Sequence, residues 1–216
     1  MNDGALRPYE QSLRASGQLV MVDGEGRQVT LNVARWLAPA DPSDDTVLER
    51  CAGPVLDIGC GPGRLVRALS ERGVACLGVD IAETAVQLTQ GLGVPALLRN
   101  VFGQVPGEGR WPTVLLMDGN VGIGGDPRRL LARAARLLAA DGRLIVETEP
   151  DPAVERVSTV RFLVEGRPVG PSFGWAEIGL EALRRHAERA GLYPADVWSA
   201  GGRTFTTLAS RLTLTR

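Results

Sequence analysis

Residues Val55 to Arg64 read VLDIGCGPGR, an apolar run that carries Asp57 and then passes through Gly59, Gly61 and Gly63 at alternate positions. Glycines in such a turn remove the Cβ atoms from one stretch of backbone, so a ligand can rest against the main chain. A second apolar run, CLGVD, ends in Asp80. A carboxylate at the end of the next strand can accept both hydroxyls of a ribose. Turn and acid together point to a nucleoside-bearing ligand. The spacing is G-x-G-x-G, whereas a dinucleotide site needs G-x-G-x-x-G to seat a pyrophosphate on a helix N-terminus. An acid beside the turn suits a cationic, amino-acid-like group instead.

Such residues need a strand before the turn, a helix after it and a second strand alongside. The pattern predicts strands over 55–58, 75–79 and 95–98, separated by helices over 65–72 and 82–90 that stop at Gly73 and Gly91. TVLLM reads as a fourth strand. Asp126-Pro127 then starts a helix with Leu130, Leu131, Ala134, Leu137 and Leu138 on one face, Asp141-Gly142 ends it, and RLIVET supplies a fifth strand. Buried strands alternating with amphipathic helices imply a parallel sheet covered on both faces. Upstream, QLVMVDGEGRQVTLNV alternates at Val29, Leu31 and Val33 and turns at Asp23-Gly24, which reads as a hairpin, with a short helix over 43–50 after it. Downstream, RVSTVRFLVEGRPV reads as strands around Gly166, and 175–190 reads as a helix. LYPADVWSAGGRTFTTLA reads as two strands hinged at Gly201-Gly202. The expected fold class is α/β, a three-layer sandwich with a mostly parallel seven-stranded sheet, its last strand antiparallel, and an N-terminal β-hairpin appendage. A ligand belongs outside the carboxyl ends of the parallel strands.

The 216 residues, 44% apolar and 23% charged, suit one globular domain. Its expected plan is an arm and hairpin lid over 1–42, a ligand-binding core over 43–150, and an insertion with a terminal helix-hairpin over 151–216. A net charge of −1 without a basic block argues against nucleic acid. The arginines of RRLLARAAR and LRRHAER recur at helical spacing, as on solvated helix faces. Cys51, Cys60 and Cys76 are scattered, which favours reduced thiols and a cytoplasmic setting. The N-terminus lacks a signal pattern, and no apolar run reaches membrane-spanning length. Lysine is absent, which excludes Schiff-base and P-loop lysines, and no metal-ligand spacing is present.

VLDIGCGPGR followed by GVD resembles the first two motifs of the class I, Rossmann-like S-adenosylmethionine-dependent methyltransferases of the small-molecule type. The resemblance runs in motif order from about 47 to 149. It implies S-adenosylmethionine as cofactor, with methyl transfer to an O, N or C nucleophile of a small molecule. It also implies that Asp57, Gly59, Cys60, Gly61 and Gly63 line the methionine and ribose. Asp80 would hold the ribose hydroxyls, and Ile81 would lie against adenine. Asn100 stands where the family commonly has an acid that accepts from the adenine amino group, with Val101 and Phe102 beside it. Met117 and Asp118 would face the methionyl end. The stretch MDGN departs from the Asn/Asp-Pro-Pro-aromatic signature of enzymes that methylate nucleic-acid and protein amino groups, which counts against those substrates.

Such a cofactor brings the electrophile itself. Alignment alone can lower the barrier by roughly 7–11 kcal/mol, so a base is optional. Candidates for that role or for orienting the acceptor are Asn120, Glu149, Tyr9 and His186, with Glu147 near Glu149. The loop GNVGIGGD offers a side-chain-poor wall, and Tyr9, Asn120, Ile123, Gly124 and Trp175 are the expected acceptor contacts. An insertion over 157–175 adds Arg161, Phe162, Arg167 and Phe173 to that side, and Trp198 is a further candidate wall. Two other classes fit less of the pattern: a protein of this fold that binds the cofactor without transferring methyl, and a nicotinamide-dependent oxidoreductase lacking its Tyr-x-x-x-Lys.

Overall fold

In the computed structural model, which describes residues 3–210, the chain opens with helix α1 (Asp3–Ala15) and the hairpin of β1 (Leu19–Asp23) and β2 (Gln28–Leu31). Two short helices follow, α2 (Val33–Leu37) and α3 (Pro42–Leu48). The alternating region then runs β3 (Val55–Ile58), α4 (Arg64–Glu71), β4 (Cys76–Asp80), α5 (Glu83–Gly91) and β5 (Ala96–Leu98). It continues with β6 (Trp111–Leu116), α6 (Pro127–Leu137) and β7 (Leu138–Thr148). A long hairpin of β8 (Glu155–Val164) and β9 (Arg167–Ile178) precedes α7 (Leu180–Arg189) and the terminal pair β10 (Leu192–Ala200) and β11 (Arg203–Ser210).

Seven strands form one sheet in the order β10-β11-β7-β6-β3-β4-β5. β3 to β7 pair in parallel, and β11 lies antiparallel between β7 and β10. Period two sends Leu56 and Ile58 to the face covered by Leu130 and Leu131 of α6 and Ala182 and Leu183 of α7. Val55 goes to the other face, against Val47 of α3 and Leu65 and Leu69 of α4. Each such buried side chain contributes about 1.5–3 kcal/mol relative to exposure. The three-layer, mostly parallel sandwich expected from the sequence is therefore present, and alternation turns Asp57 toward the α4 side.

The N-terminal hairpin does more than append itself. β1 pairs with β8, Val20 opposite Leu163, so β2-β1-β8-β9 make a second sheet. Its inner residues Met21, Val160 and Phe162 pack with Leu6 and Leu13 of α1 and Ala85 of α5. Two segments distant in sequence thus form one layer.

Two expected boundaries are corrected. The helix expected over 175–190 starts only at Leu180, because Ala176 and Ile178 point inward at strand period and continue β9 to Ile178, with Gly179 as the helix cap. Asp141-Gly142 does not end α6: the helix stops at Leu137 and β7 begins at once. Pairing with β6 jumps from Trp111↔Leu138 to Thr113↔Arg143, so Asp141 and Gly142 occupy a bulge.

The loop after β6 is glycine-rich for a packing reason. It forms a 3-10 turn (Asn120–Gly122) and bridges Ile123 to Trp175, laying backbone on backbone. A Cβ on Gly122 would stand 2.0 Å from the carbonyl oxygen of Ala176. Gly122→Ala should therefore lower stability by about 1–3 kcal/mol through overpacking. Gly24→Ala, where an added Cβ meets nothing within 4 Å, should be nearly neutral in the same thermal denaturation.

Candidate active site

The glycine turn is braced from three sides. Gly61 N donates to Asp80 Oδ2 at 2.9 Å, while Ala82 N donates to Oδ1 at 2.8 Å. Thr89 of α5 donates its hydroxyl to the Gly61 carbonyl at 2.9 Å. Asn120 Nδ2 donates to the carbonyls of Ile58 and Gly59 at 3.0 and 2.9 Å. Gly61 has a φ of +55°, a conformation that favours glycine, and a Cβ there would meet Tyr9 Oη at 3.3 Å. Gly63 starts α4 and is needed for the close approach of Thr89, 2.7 Å from where its Cβ would be.

Above this turn lies a pocket of about 1300 Å³, its open mouth included. Of the residues singled out for a cofactor, Asp57, Gly59, Cys60, Gly61, Asp80, Ile81, Asn100, Val101, Phe102, Met117 and Asp118 line it, and Gly63 does not. Asn100 Oδ1 already accepts from Phe102 N at 2.9 Å, which fixes that turn and leaves the oxygen one further site. Phe102 is covered by Arg129, whose guanidinium carbon is 4.2 Å from the ring centroid.

Charge is concentrated beneath the pocket. Arg64 is 5% exposed and pairs with Asp44 of α3 and with Asp118. Arg203 of β11 joins Glu147 at 2.5 Å and Asp44 at 2.7 Å, and Arg35 of α2 reaches Asp44 at 3.0 Å and Asp118 at 3.3 Å. Asp118 holds a left-handed φ of +53°, fixed by its own N–H, which donates to Glu147 at 2.7 Å. Burial pushes the Asp118 carboxyl up, although Arg64, Arg203 and Arg35 oppose it. Burial raises Asp44 too, but Arg64 and its other partners prevail and hold it at about 2. Asp57 is raised to about 7, first by burial and then by Asp118. Burial likewise raises Asp80 against its backbone hydrogen bonds.

The acceptor-side candidates divide. Tyr9, Asn120, Ile123, Gly124 and Trp175 line the pocket, as does Phe162. Asn120 presents only its oxygen, because its amide nitrogen serves the glycine turn. Gly124 abuts Phe102, 3.1 Å from the position of an added Cβ. Phe173 packs against Phe162 with the rings tilted at 45° and centroids 5.1 Å apart, and Arg161 and Arg167 are exposed. Trp198 packs on Phe205 under the sheet. His186 is off the pocket and pairs with Glu155 at 2.8 Å. Glu149 is off it too, near Glu177 and Arg27. Glu147 is taken by Arg203.

Sequence reasoning missed Leu6, Met21, Leu31 and Trp36 as lining residues. Leu6, Tyr9 and Leu13 recur at helical spacing and could have marked α1. Nothing local marked Arg35, Arg64 or Arg203.

The fold and pocket have known counterparts. The family model described as Methyltransferase domain matches residues 27–196, and the chain belongs to this family, with the class I fold of S-adenosylmethionine-dependent methyltransferases. A methyltransferase from Bacteroides fragilis, solved with S-adenosyl-L-homocysteine, superposes with a TM-score of 0.77 at 19% identity, covering 96% of this chain and 94% of that one. The Burkholderia thailandensis 1,6-didemethyltoxoflavin-N1-methyltransferase gives 0.61 at 21% identity, covering 78% and 76%. The 2-heptyl-1-hydroxyquinolin-4(1H)-one methyltransferase of Mycobacteroides abscessus is 37% identical over 70 residues, 29% of this chain and 31% of that protein. That match therefore spans about a third of the relative's length.

Removing one partner from a buried ion pair costs about 3–5 kcal/mol, because the remaining charge stays buried. Asp44→Asn should lose that much in denaturant unfolding. Wild-type stability at this pair should be present above the ordinary carboxylate range and fall away toward pH 2.

Proposed function

We propose that the chain transfers a methyl group from S-adenosylmethionine to a small molecule, with a cytoplasmic setting supported by three free cysteines. The observation that carries this reading is Asp80, buried at the end of β4 and locked by two backbone N–H groups beside the glycine turn. Each of its oxygens keeps a lone pair for a ribose hydroxyl. The donor set fits the rest of the cofactor as well. Asp57 accepts no hydrogen bond from any described residue, which leaves its carboxylate for a cationic amino group. Ile81, Val101 and Phe102 offer apolar contact for a base. The cofactor supplies an activated methyl on a sulfonium. The chain's own residues bind it, exclude water with the α1 and second-sheet side chains, and hold the acceptor in line.

S-adenosylhomocysteine should stabilise the protein by about 2.7 kcal/mol at a hundredfold excess over its dissociation constant. NAD should do nothing, and Asp80→Ala should abolish the shift. Methyl transfer to a metabolite extract, followed by mass, separates an enzyme from a silent binder.

Asp57 adds a pH dependence. In the ligand-free protein its raised pKa gives stability that is full below the ordinary carboxylate range and lost as pH rises through about 7. A bound ammonium favours the ionised form, so binding should release a proton below pH 7. Affinity should climb with pH to about 7 and then level off. Calorimetry at pH 6 in two buffers of different ionisation enthalpy measures the release, which Asp57→Asn should remove.

A further inference from the structure

One wall of the pocket is built by Leu6, Met21, Leu31, Trp36, Phe162 and Trp175, which pack in one apolar cluster. These come from α1, the hairpin, α2 and the β8–β9 pair, and they present carbon almost throughout. Tyr9 meets Trp36 edge to face at 5.9 Å between centroids. Among the described residues lining the pocket there is no histidine, lysine, glutamate, serine or threonine.

The titratable groups that do line it are poorly placed to take a proton from an acceptor. Arg64 and Arg99 are cations. Asp80 is bound to two backbone N–H groups, Asp118 to three guanidinium groups, and Asp57 lies at the turn. Cys60 is packed over Gly78. Tyr9 carries the one phenol, which burial and then Asp80 push well above its ordinary value, so it stays protonated and acts as a donor. The indole N–H groups of Trp36 and Trp175 and the Tyr9 hydroxyl hydrogen-bond to no described residue. The apolar wall thus offers donors, and the nearby amide oxygens of Asn100 and Asn120 accept hydrogen bonds without being bases.

Resting on the methyltransferase reading above, we propose that the acceptor is a planar, largely apolar molecule whose methylated oxygen is already ionised at neutral pH. Its oxyanion, rather than any protein base, sets the pH dependence of transfer. The electron pair of that oxygen forms the bond to the methyl carbon while the carbon–sulfur pair returns to sulfur. Anion and sulfonium both become neutral, and no proton moves. Separated charges are costly in an apolar, water-poor chamber, so a step that removes both is favoured there. The hydroxyquinolone named for the Mycobacteroides abscessus relative is likewise a planar ring, with an N-hydroxyl and an alkyl tail.

The test uses the whole chain, S-adenosylmethionine at saturation at every pH, and two naphthols that differ by a ring nitro group, one ionised at pH 7 and one not. An amino sugar serves as a polar control. The ionised naphthol should be methylated at pH 7. The other should lag by about tenfold for each unit by which its pKa exceeds the pH. Its rate should recover as pH rises, so the half-maximal pH moves with the acceptor. One half-maximal pH shared by both naphthols would overturn the proposal and indicate a protein base such as Asp57 or Asp118. Preference for the amino sugar, or no transfer to the ionised naphthol while S-adenosylhomocysteine still binds by calorimetry, would also overturn it. Absence of S-adenosylhomocysteine binding would strike the underlying reading instead.

Discussion

The guanidinium of Arg64 is the fixed point of the pocket. It follows the glycine turn directly, is almost wholly buried, and is held by Asp44 and Asp118. A buried charge is tolerable only when its partners are in place. Those partners sit on α3 and on the loop after β6, and the same acids bind Arg35 of α2 and Arg203 of β11. One ionic cluster therefore ties both ends of the described chain to the floor of the site. It also holds Asp118 in a left-handed conformation, which costs a non-glycine residue on the order of 1–3 kcal/mol and persists only where the surroundings over-determine it.

Two sheets divide the work over that floor. The parallel sheet presents strand ends, backbone amides and carboxylates, which are rigid and polar. The second sheet and α1 present large apolar side chains. The Ile123–Trp175 bridge and the contact of Gly122 with Ala176 join the halves, so the loop after β6 belongs to both.

The first half was legible because its signals are local. The strand 55–58, the glycine turn, Asp80 and the Asp126-Pro127 cap each lie within a few residues, and each element forms where its pattern says. The second half was not, because its logic is tertiary. That β1 pairs with β8 depends on residues about 140 apart in the chain, which no window contains. The arginines of the cluster look like any surface arginine until the fold brings acids to them. The residues after Trp175 favour a helix, and strand pairing of β9 with β8 overrides that preference at Trp175 itself. Asn120 is legible as a pocket residue, but the hold of its amide nitrogen by the Ile58 and Gly59 carbonyls at the end of β3 appears only in the fold.

The central claim is that the cofactor is held between the carboxyl edge of the parallel sheet and the α1 cap. Amide hydrogen exchange with and without saturating S-adenosylhomocysteine tests this most directly. The account predicts added protection at 59–64, 80–83 and 100–102 together with α1 around Tyr9. Protection confined to the terminal hairpin or α7, or none at the glycine turn, would contradict it.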